Sequence, residues 1–78
     1  MTNKTSAARI AQTPAELREQ IEVMRHARHA IIARANGFAA KGYIQAAADF
    51  EAISDSMEEE IVRLRRLLAV ATTRRRTA

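Results

Sequence analysis

Seventy-eight residues without a cysteine, at a formal net charge of +4, make one small domain with no disulfide staple and no thiolate metal site. A chain this short buries only roughly 60 % of its unfolded surface, so a single core is marginal and oligomerisation is the remaining remedy. Nothing approaches a transmembrane span and the N-terminus lacks the apolar run of a signal peptide, which points away from membranes and toward the cytoplasm of a prokaryote or of a phage's host.

Residues 1–12 are small and polar, with Ile10 as an isolated large apolar side chain, and read as a flexible arm. Thr13-Pro14-Ala15-Glu16 is the strongest local signal in the chain. Thr13 can cap, Pro14 suits the first helical position, and Glu16 can reach back to complete a capping box. From there Leu17, Ile21, Met24, Arg28, Ile31, Ala35 and Phe38 recur at alternating steps of four and three. That spacing predicts a helix over about 14–40 whose seam belongs to a left-handed helical pair, with one charge in its middle. Val23, Ala27, Ala30 and Ile32 widen the apolar surface beyond what one partner helix covers. Asn36-Gly37 could stop the helix, but the seam runs on to Phe38 and an interior glycine costs only about 1 kcal/mol.

Ala39-Ala40-Lys41-Gly42-Tyr43 is the predicted turn, with Gly42 free to take a positive φ. A second helix is predicted over about 43–71, with the seam Tyr43, Ala46, Phe50, Ile53, Met57, Ile61, Leu64, Leu68 and Ala71. Both helices are then roughly 40 Å long, as an antiparallel hairpin needs. Near the turn the facing residues are mostly Ala35, Ala39, Ala46 and Ala47; further out they are the bulkier Leu17, Ile21, Ile61 and Leu64. Charge agrees with that pairing. The first helix passes from Glu16, Glu19 and Glu22 to Arg25, Arg28 and Arg34, and the second from Asp49–Glu60 to Arg63, Arg65 and Arg66. Exposed pairs contribute about 0–1 kcal/mol each, so they choose orientation more than they add stability. The hairpin spans 13–72, and residues 73–78, with Arg74-Arg75-Arg76, form a basic tail expected to fray.

Few residues suggest chemistry. His26 and His29 share a helical face at a spacing that could hold a metal, but no third ligand stands nearby, and they read as surface histidines. Glu58-Glu59-Glu60 point in different directions on a helix and read as a solvated face. There is no nucleophile–base pair and no phosphate loop, so neither an enzyme nor a cofactor is expected. The arginines could follow a phosphate backbone, yet those of the second helix scatter around it and no aromatic residues interleave with them. Arg28, a charge within the seam, is expected to extend outward or to pair with an acid such as Glu60 or one on a second subunit. Tyr43, at the apex, either packs on Phe38 to close the turn or is displayed to a partner.

Tyr43-x-x-Ala46-x-x-x-Phe50 resembles the second-helix pattern of a tetratricopeptide repeat over about a dozen residues, without the first-helix pattern or a second copy. The whole chain, through its size, the Ser-Ala-Ala-Arg arm at 6–9, the hairpin and Tyr43 at the tip, is similar in kind to phage quorum-sensing anti-activators. Those are small helical dimers that bind host LuxR-type transcription factors. The resemblance implies a host protein as target.

The sequence therefore predicts an all-α antiparallel helical hairpin that dimerises into a four-helix bundle. Its dimer and core positions are Leu17, Ile21, Met24, Arg28, Ile31, Phe38, Phe50, Ile53, Met57, Ile61, Leu64 and Leu68. Arg9, Ile10, Lys41 and Tyr43 are its expected partner-binding residues. A dimeric nucleic-acid-binding bundle and a structural or assembly component are the alternatives.

Overall fold

The computed structural model describes residues 12–77, with side chains through residue 73. Two helices, α1 (Pro14–Ala40) and α2 (Ile44–Thr77), pack against each other as an antiparallel hairpin. α1 starts where the capping box predicts. The Thr13 backbone N–H donates to Glu16 Oε1 at 2.9 Å, and the Glu16 N–H donates to Thr13 Oγ1 at 3.1 Å. Two backbone donors that a helix start leaves unpaired are thereby satisfied, and Pro14 has none to satisfy. The helix passes through Asn36-Gly37 without a break.

It ends in a Schellman turn. Lys41 keeps near-helical angles (φ −90, ψ −1), and Gly42 turns left-handed at φ +87. The Gly42 N–H donates to Ala39 O at 3.0 Å and the Tyr43 N–H to Phe38 O at 2.9 Å, the two bonds that define the motif. The apolar contact that usually accompanies it is present too, as the Tyr43 ring meets the edge of Phe38 with centroids 6.2 Å apart. Tyr43 O then accepts from Ala47 N–H at 3.0 Å, which opens α2.

α2 continues through Thr77, past the predicted end at Ala71. No glycine or proline follows Ala71 to stop it. Thr72 and Thr73 turn their hydroxyls back to Leu68 O and Ala69 O, both at 2.8 Å, satisfying themselves within the helix.

The α1 seam is as the spacing predicts: Leu17, Ile21 and Ala35 are buried, and Met24, Arg28, Ile31 and Phe38 are half-buried. The α2 seam differs in its first half. Ala47 and Ser54 are buried, whereas Ile53 is 46 % exposed and Tyr43 59 % exposed. The observed stripe is Ala47, Phe50, Ser54, Met57, Ile61, Leu64, Leu68 and Ala71, an unbroken alternation of three and four. The predicted and observed stripes share Phe50 and every position from Met57 on, and the rotation the helix adopts puts Ala47 and Ser54 inward and leaves Ile53 outside. Hydrophobicity alone places Ile53 in the predicted seam, and it lies outside the observed one. The helix keeps its phase and turns a serine inward.

Candidate interaction surface

Three places along the hairpin carry side chains that packing does not consume. The first is the tip. Phe38 and Phe50 stack across the helices with centroids 5.4 Å apart and planes 18° from parallel, both half-buried. This pair supports Tyr43, which presents most of its surface outward while its edge stays on Phe38. Tyr43 therefore closes the turn against Phe38 and still leaves 59 % of its surface exposed. Beside it Ile44 is 69 % exposed, and the exposed Lys41 has no ion-pair partner among the described residues. Ile44 escaped the sequence reading. Its signal was a large apolar residue next to the turn and outside both seams.

The second place is the middle of the seam. Arg28 donates from Nε to Ser54 O at 3.4 Å, and the same nitrogen lies 3.6 Å from Glu58 Oε1. The expected partner, Glu60, is instead held by Arg63, whose Nε donates to Glu60 Oε1 at 2.9 Å. The reason is local: Glu60 and Arg63 are three apart on one helix and meet without crossing the seam. That hydrogen bond holds the Glu60 carboxyl below its ordinary range, assisted by the arginine's charge, and raises Arg63 in turn. The inward serine explains how Arg28 fits, because the small side chain leaves Ser54's carbonyl within reach of α1.

The third place is the open end, where Gln12, Glu16, Glu19, Gln20 and Val23 of one arm face Glu60 and Leu64 across an open cleft of about 540 Å³. Its floor is apolar and its rim carries carboxylates.

Of the remaining candidates, His26 engages its own helix, with Nδ1 3.0 Å from Glu22 O, and His29 is exposed. Among the described residues no three His, Asp or Glu side chains converge as metal ligands, and no helix is long and apolar enough to cross a membrane. Arg25 is paired with Glu22 at 3.0 Å, Arg28 with Glu58 and Arg63 with Glu60, which leaves Arg18, Arg34, Arg65 and Arg66 without ion pairs among the described residues. Arg9 and Ile10 lie outside the described residues, as do the side chains of Arg74, Arg75 and Arg76. The arrangement as a whole offers contact surface: exposed Val23, Tyr43, Ile44, Ile53, Leu67 and Val70 around a hairpin with one thin core. No known protein family, characterised protein or solved structure matches this chain.

Proposed function

We propose that this chain is a non-catalytic, cytoplasmic protein-binding module, a homodimeric four-helix bundle that acts by occupying the surface of another protein. The role that fits best is that of a phage-type inhibitor or anti-activator directed at a host protein such as a transcription regulator. The observation that carries the binding role is the tip. Tyr43 and Ile44 are held outward on a turn fixed by two backbone hydrogen bonds and an aromatic stack. Rigid, exposed aromatic and aliphatic side chains give large contact area at little entropic cost, and truncating such an anchor typically costs about 2 kcal/mol or more of binding.

Ile44→Ser tests this more cleanly than a change at Tyr43, which also closes the turn. The variant should keep its helical circular dichroism and lose capture of the host protein that the wild type retains from lysate. Equal capture by both would remove the tip from the binding site. A nucleic-acid role predicts instead that bound material is lost to nuclease and that affinity falls steeply between low and physiological salt. A structural or assembly role predicts no host protein at all.

A further inference from the structure

The dimer proposed above can be given a face and an orientation. Seven residues carry a helix through nearly two turns, so Ile53, Glu60 and Leu67 form one row on α2. Glu60 lies across the open-end cleft from Gln20 and Val23, which fixes the side of the hairpin on which this row runs. On α1 that side continues through Val23, Ala27 and Ala30, all exposed, to Arg34, Gly37 and Lys41, which share a shallow hollow near the turn.

This flank has a pattern from end to end. Its open end is acidic, with Glu16, Glu19 and Glu60 on the cleft. Its middle is apolar or small, with Val23 62 % exposed and Ile53 on the facing helix. Its turn end is basic, with Arg34 and Lys41. Asp49 and Arg63 border the flank, one at each end, and among the described side chains leave the turn end net positive and the open end net negative. The other flank of α1 carries Arg18, Glu22, Arg25 and His29, a solvated face. Two helices side by side, each about 40 Å long and about 10 Å wide, offer roughly 800 Å², the area one partner contributes to a standard interface.

We propose that a second copy of this chain docks on this flank with its turn at the opposite end, the two-fold axis passing between Ala27 and Ala30. A surface that is acidic at one end, basic at the other and small-residued at its centre is complementary to itself under that rotation. Each acidic cleft then meets the other copy's Arg34 and Lys41, and the alanines at the axis let the two α1 helices approach closely. A two-fold that kept both turns together would set each end against its own sign.

The inference rests on the dimeric reading, and the absence of native cysteine allows the two to be tested apart. The orientation places Gln20 over Gly37 of the other copy. Gln20→Cys is a change at an exposed position, and a Cβ at Gly37 would meet nothing within 4 Å. Mixing Q20C and G37C chains under mild oxidation should give a disulfide-linked dimer, while neither chain links to itself. Ala27→Glu should weaken self-association on the order of 30-fold by sedimentation, with helicity retained. A chain that dimerises without the 20–37 link, or that links Gly37→Cys to Asp49→Cys instead, overturns the orientation. Dimerisation unaffected by A27E overturns the face and leaves the dimer standing. A monomer at every concentration overturns both.

Discussion

At its open end the hairpin is held by Leu17, Ile21, Ile61 and Leu64, buried and packed with Met24, Leu68 and Ala71. At its turn end the helices meet through buried Ala35 and Ala47, with a stacked pair of phenylalanines beside them and a Schellman turn tying the chain. The first end depends on aliphatic volume removed from water. The second depends on close backbone approach and on a conformation only glycine adopts cheaply. Arg28 lies between the two, reaching across to Ser54 O. The lesson is that a two-helix interface need not be uniform to keep one register. Opposite errors should therefore be harmful at opposite ends: lost volume at one, added volume at the other.

The largest effect is expected from Ile61→Ala, which empties the most deeply buried large side chain. Such a deletion costs about 2–5 kcal/mol. In a chain with a core this small it should abolish the cooperative thermal transition followed by circular dichroism, or lower its midpoint more than any other single change. At the turn end the mirror experiment is Ala47→Leu. Ala47 is buried, so added volume there should cost about 1–3 kcal/mol in denaturant titration at fixed concentration. If Ala47→Leu is instead neutral, the turn end is not closely packed and the contrast between the ends fails. Gly42→Ala should follow at about 1–2 kcal/mol, since the space around it is open and only its φ of +87 opposes a side chain. That separates backbone conformation from packing at the same end.

The smallest effect belongs to the Glu60–Arg63 pair, solvent-accessible and local to α2. The carboxyl is held below its ordinary value by its hydrogen bond from Arg63. A group depressed in the folded state contributes stability above its unfolded pKa and loses that contribution as pH falls through the folded value. Glu60→Gln should therefore differ slightly from wild type at neutral pH, and the two melting curves should converge on acidification through and below the carboxylate range. A difference that grows on acidification would reverse the sign.

Much of this structure was legible in the residues themselves. The capping box at Thr13 and Glu16, the passage through Gly37, the turn at Gly42 and the α1 seam are local facts, each decided by neighbours within one or two turns of helix. The α2 seam was legible at Phe50 and again from Met57 onward, where Ile61, Leu64 and Leu68 leave no competing stripe. Before Met57 two stripes compete. One contains Ala46 and Ile53, the other Ala47 and Ser54, and hydrophobicity favours the first while strict alternation of three and four marks the second. The candidate surface divides the same way. Tyr43 could be found by its place in the turn, but the acidic cleft draws its lining from both helices and has no contiguous signature.

What the sequence by itself determined is therefore two helices, where the first begins, and the glycine about which the chain reverses, because each rests on hydrogen bonds and sterics between residues close in the chain. What only the tertiary structure decided is which side of α2 faces α1, that Arg28 takes Glu58 in place of Glu60, and that Ile53 is left outside. A helix presents its buried stripe as one rigid unit, so its partner selects the rotation that satisfies all eight seam positions together, and the preference of one isoleucine does not outweigh the other seven.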